Sequence, residues 1–99
     1  MPNYILSFRS ATPYDMAPET RATWQAFFAG LGDSLLELGR PVDGETTVGN
    51  CDTQLTRLGG YSIVQAEDLD AAAAIAKSSP SVARGGGVEV GELRPLPPE

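Results

Sequence analysis

The sequence predicts one α+β domain with the element order β-α-β-β-α-β, the ferredoxin-like arrangement in which a four-stranded antiparallel sheet carries both helices on one face. Three observations predict it. Residues 3–9 and 61–66 alternate in side-chain character with the period of two that a pleated strand imposes. Trp24, Phe27, Phe28, Leu31, Leu35 and Leu38, and later Leu69, Ala72, Ala73 and Ala76, recur at the spacing of a helix face. Glycine and proline, 11 and 8 of the 99 residues, punctuate the chain between most of these runs.

In the first strand Tyr4, Leu6 and Phe8 fall on one side and Ile5, Ser7 and Arg9 on the other. Residues 10–18 form a loop with two prolines, and Pro18 suits a first helical turn because its missing N–H is an orphan there anyway. The long apolar stripe from Trp24 to Leu38 is interrupted by Gly30 and Gly32, each unfavourable by about 1 kcal/mol relative to Ala in a helix interior. A helix followed by a break and a short second helix over 33–38 is expected, closed by Gly39 and Pro41. Residues 41–50 carry weak strand propensity and read as an edge strand. The strongest strand follows Gly59 and Gly60 and feeds an alanine-rich helix capped by Asp68. Ser78, Ser79 and Pro80 end that helix, residues 81–87 form a glycine-rich turn, and Val88 and Val90 belong to a last strand. One domain over 1–94 and a proline-rich tail over 95–99 complete the reading.

Seven basic against thirteen acidic side chains give a net charge of −6. That balance repels phosphate backbones and anionic lipid, so neither nucleic acid nor a membrane surface is an expected partner. The seven cations are spread from Arg9 to Arg94 with no basic stripe. The lone Cys51 has no partner for an internal disulfide, no secretory leader pattern opens the chain, and no apolar run approaches the roughly 20 residues of a membrane span. A cytoplasmic protein is expected. With both helices on one face, the opposite face of the sheet is left bare and includes apolar side chains. A second copy covering it is the simplest relief, so a homodimer is expected.

The stretches NYILSF, WQAFFAGLGDSLLELGRPV, GGYSIVQAEDLDAAAAIAKSSP and GGGVEV resemble, in order and spacing, the YCII-related family. The resemblance implies a dimeric α+β barrel, two such sheets face to face with the helices outside. It also implies a helix-borne histidine and an aspartate in an Asp-Pro step as an acid–base pair. This chain departs from both, for it has no histidine. Trp24 falls where the histidine would stand, Ser79-Pro80 replaces Asp-Pro, and residues 50–53 read Asn-Cys-Asp-Thr in place of the related DGPF signature.

Candidate site residues are therefore weighed from their own chemistry. Asp33 is either a carboxylate presented at a helix break, the one weak catalytic candidate, or the cap of the short helix after it. Trp24 either opens the core stripe or walls a pocket with its N–H available to a ligand. Ser7 and Tyr61 either line a cavity between helix and sheet or pack there. Arg9, like Arg21, can anchor a small anionic molecule through its guanidinium fork or can pair with a surface acid. Glu89, opposite in facing to Val88 and Val90, either pairs with Arg9 across the bare face or meets solvent. Cys51 has no histidine to activate it. The acids at 67, 68 and 70 complement a helix dipole without metal-ligand spacing, and Gly85, Gly86 and Gly87 precede a strand and so lack a phosphate cradle. No cofactor or metal is called for. The functional expectation is a small-molecule-binding or accessory module built on Ser7, Arg9, Trp24, Asp33 and Tyr61. The alternative is a cofactor-independent isomerase, lyase or oxygenase-like enzyme using a pocket between sheet and helices.

Overall fold

The structure, a computed structural model, describes residues 1–98. Strands β1 (Asn3–Ser10), β2 (Leu35–Glu37), β3 (Arg57–Gln65) and β4 (Gly87–Leu93) form one sheet in the order β2-β3-β1-β4, with every neighbouring pair antiparallel. Helices α1 (Pro18–Leu31), α2 (Leu69–Lys77) and the short α3 (Pro80–Ala83) supply the connections. This is the ferredoxin-like order expected from the sequence.

Register assigns the two faces. Tyr4 lies opposite Val64 and Glu92, Leu6 opposite Ser62 and Val90, and Phe8 opposite Gly60 and Val88. Tyr4, Leu6, Phe8 and Val64 are buried beneath the helices, each stabilising the fold by roughly 1.5–3 kcal/mol relative to exposure. The opposite parity, with Ile5, Ser7, Arg9, Tyr61, Ile63 and Glu89, makes the bare face. Helix α2 lies close to the sheet because its buried positions, Ala72 and Ala76, are small. Its inward stripe is turned slightly from the expected one: Ala71 and Ile75 flank it, while Leu69 and Ala73 are exposed. Asp68 caps the helix by accepting from the Ala71 N–H at 2.8 Å.

Three local expectations are corrected. The segment 33–38 is not a helix: Gly32, at φ +54°, turns the chain out of α1 into a 3-10 turn (Gly32–Ser34), and Leu35–Glu37 then pairs with β3 as the sheet's edge. That edge takes the place expected for 41–50, where only Pro41 bridges to the sheet, opposite Gly60. Within the expected turn over 81–87, Pro80 starts a single helical turn, as proline does where its missing N–H has no acceptor to serve. Residues 94–98 carry neither helix nor strand, and the last position of the expected tail, Glu99, lies outside the described residues.

Helix α1 behaves unlike α2. None of its residues is fully buried. Trp24, Phe27, Phe28 and Leu31 are half-buried and rest their ring and side-chain edges on the core. Beside these aromatic side chains a cavity opens between α1 and the sheet.

Candidate functional site: an arginine-rimmed aromatic cavity

The cavity, about 500 Å³, opens between the first half of α1, the end of β1, the 11–16 loop and the 38–42 segment. That volume falls within the range of small-molecule sites. Its inner wall is aromatic. Phe8 meets Trp24 edge to face, with ring centroids 4.9 Å apart at 76°, and Trp24 stacks on Phe28 at 5.7 Å and 30°. Such arrangements are favoured by the ring quadrupoles and fix the wall's shape.

The rim is cationic. Arg21, Arg40, Arg57 and Arg84 line the cavity, and Asp15 is the one carboxylate that does so. Arg57 lies 3.7 Å from Glu45, and Arg84 lies 3.4 Å from Asp15. Among the described residues no carboxylate comes within ion-pair distance of Arg21 or Arg40. A protein of net charge −6 thus gathers four of its seven cations around one opening.

Local chemistry places each of them. Arg21 stands on α1 one turn before Trp24, so both face the same space. Arg40 is set by a close backbone junction in which its carbonyl accepts from the Tyr61 N–H at 3.3 Å, while the Val42 N–H donates to Gly59 at 3.0 Å. The Ser62 hydroxyl donates to the Leu38 carbonyl at 2.6 Å. Only glycine fits this junction: at Gly39, φ +72°, a Cβ would fall 1.8 Å from the Tyr61 carbonyl oxygen, and at Gly60 one would fall 2.9 Å from that of Arg40.

Asp15 holds the loop that forms the outer wall. It accepts from the Thr20 hydroxyl at 2.6 Å, the Ala17 N–H at 2.9 Å and Arg84 at 3.4 Å. The Thr20 and Ala17 hydrogen bonds, aided by Arg84, hold its carboxyl below the usual carboxylate range. A carboxylate so satisfied is a weak proton acceptor. Two tyrosines shift upward: burial, then the Glu92 carboxylate 3.4 Å away, raises Tyr4, and hydrogen bonding to the Glu37 carboxylate, together with its charge, raises Tyr61.

Of the residues singled out in the sequence, Trp24 and Tyr61 border this cavity, and Arg21 joins them. Ser7, Arg9 and Asp33 lie elsewhere. Ser7 is on the bare face opposite Tyr61 and Glu89. Asp33 is exposed in the 3-10 turn. Arg9 donates to the Thr56 hydroxyl at 3.3 Å and to the carbonyls of Thr56 and Asp52 at 3.0 and 3.3 Å, fastening the 52–56 segment to the end of β1. Phe8, Phe28, Arg40, Arg57 and Arg84 were not singled out as site residues. Gly39 beside Arg40, and the Gly59-Gly60 pair shortly after Arg57, were the one local hint, since glycine marks close backbone approach.

The fold and this cavity define a small ferredoxin-like α+β protein with a cleft between helix and sheet. The YCII-related domain model matches residues 11–96, and the chain belongs to the YCII-related family. No curated protein matches it in sequence. Its fold is similar to the solved structure of 5-chloro-2-hydroxyhydroquinone dehydrochlorinase from Burkholderia phenoliruptrix AC1100, in complex with 2,5-dihydroxybenzoquinone. The TM-score is 0.60 at 19% identity over 93% of each chain. Trp24, standing where the resemblance implies a helix histidine, packs against Phe8. Ser79, standing where the resemblance implies an aspartate, is buried, and its hydroxyl has no hydrogen-bond partner among the described residues.

Proposed function

We infer that the protein is a small-molecule-binding module whose cavity accepts a small anion. The observation that carries this is the rim: four arginines face one carboxylate around an aromatic cleft, and two of the four are unpaired among the described residues. Guanidinium groups bind carboxylate or phosphate oxygens in a bidentate fork, and they bind most strongly beside low-dielectric walls. Binding is favoured over acid–base catalysis because Asp15, the cavity's carboxylate, is already held ionised by three donors. Trp24 is the ligand contact we assign from the sequence-derived set; Tyr61 borders the cavity where its backbone meets the 39–40 junction, its side chain lying on the bare face.

The working form is a homodimer of one domain over 1–94, with the bare sheet face at its interface. Ile5, Tyr61 and Ile63 on that face are half-buried in a single copy, and Leu93 is exposed. A cytoplasmic setting is supported by the free, exposed Cys51. No helix of the described residues is long and apolar enough to cross a membrane.

Thermal-shift measurements with a panel of small organic anions test the reading, because a ligand binding only the native state raises the melting temperature. Small carboxylates should raise it and their neutral amides should not. A panel without any shift would refute the anion site. Sedimentation at micromolar concentration tests the dimer, and a stable, folded single chain would refute it.

A further inference from the structure

The walls of the cavity narrow the ligand further. Part of its lining is a run of rings, Phe8, Trp24 and Phe28, at the mutual angles given above. Two of the wall's hydroxyls, those of Ser10 and Thr20, are committed inside the chain. Ser10 donates to the Thr12 carbonyl at 2.7 Å and accepts from the Thr12 N–H at 3.3 Å, and Thr20 is taken by Asp15. A sugar or other hydroxyl-rich compound laid on the ring wall would give up water hydrogen bonds that the rings cannot replace. A flat apolar ring would instead gain aromatic contact. On the rim, Arg57 and Arg84 already face Glu45 and Asp15, which leaves Arg21 and Arg40 to meet an incoming charge. A carboxylate in the plane of a ring presents two oxygens to such a fork.

We propose that the cavity takes an aromatic carboxylate, its ring against Trp24 and Phe28 and its acid group toward Arg21 and Arg40. This rests on the anion-site reading above. Recognition divides into two separable parts: the ring wall selects planarity, and the two free guanidiniums select charge. Neither part needs a proton transfer, so the ligand is held unchanged.

Trp24 is the sole tryptophan of the chain, so its emission reports on the cavity directly. The full-length protein is titrated with benzoate, cyclohexanecarboxylate and benzamide while Trp24 fluorescence is followed. Benzoate should bind about tenfold more tightly than either analogue, one removing planarity and the other charge. Arg21→Gln and Arg40→Gln should each weaken benzoate about tenfold, the loss of one charge-assisted contact. Both side chains are exposed, and an unchanged circular dichroism spectrum would show that the variants fold. Equal affinity for benzoate and cyclohexanecarboxylate would overturn the ring assignment while leaving the anion site intact. Equal affinity for benzamide, or full retention of binding in both arginine variants, would overturn the assignment of the charge. If no carboxylate binds at all, the anion-site reading falls with it.

Discussion

Substituting Gly39 with alanine tests how the cavity rim is built. At φ +72° a non-glycine residue costs roughly 1–2 kcal/mol on conformation alone. The added Cβ would also lie 1.8 Å from the Tyr61 carbonyl oxygen and 2.7 Å from its carbon, so the two backbones must separate. Separation weakens the Tyr61-to-Arg40 hydrogen bond at 3.3 Å and the Ser62-to-Leu38 hydrogen bond at 2.6 Å, each worth about 1 kcal/mol. A loss of about 3 kcal/mol follows, or ~15 °C in melting temperature for a domain of this length. Because Arg40 is carried on the displaced segment, anion affinity should fall as well. Urea denaturation gives the energy, and Gly30→Ala is the control. Its Cβ meets nothing within 4 Å in the last turn of α1, so that variant should lose no stability and gain up to about 0.5–1 kcal/mol. Equal stabilities for Gly39→Ala and the parent would refute the junction as described.

Further outcomes follow from the same geometry. Leu6 is fully buried at the centre of the sheet, so Leu6→Ala should cost about 3 kcal/mol in denaturant unfolding. The Asp15 carboxyl has a depressed pKa in the folded chain. Its contribution is therefore present above the ordinary carboxylate value and lost as pH falls through the folded value, and Asp15→Asn should flatten that acid limb of a melting-temperature profile. Tyr4, with a raised folded pKa, acts in the opposite sense: its contribution is intact below the ordinary tyrosine value and lost as pH rises above it, a loss that Tyr4→Phe should remove. Arg9→Ala should speed amide exchange in the 52–56 segment and leave anion affinity unchanged, because Arg9 fastens that segment away from the cavity.

The sheet was legible in the sequence because period two is local: Tyr4, Leu6 and Phe8 declare their shared face within five residues. The capping role of Asp68 was legible for the same reason. The stretch 33–38 misled because Leu35 and Leu38 extend the spacing of α1, while a single glycine at positive φ and the vacant edge of β3 decide the outcome. Both act through tertiary structure. The cavity rim was the least legible feature, since Arg21, Arg40, Arg57 and Arg84 are roughly twenty residues apart in sequence and only chain topology gathers them. Trp24 could be placed on an apolar stripe, but whether such a ring closes a core or walls a space depends on how far the helix stands from the sheet.

The central claim, an anion site between α1 and the 38–42 segment, is tested most directly by amide and indole chemical shifts in a benzoate titration. The single indole signal of Trp24 and the amides of Gly39 and Arg40 should move together and saturate, while those of Ile5 and Ile63 on the bare face stay still. Shifts confined to the bare face, or no saturating shift at Trp24, would contradict it.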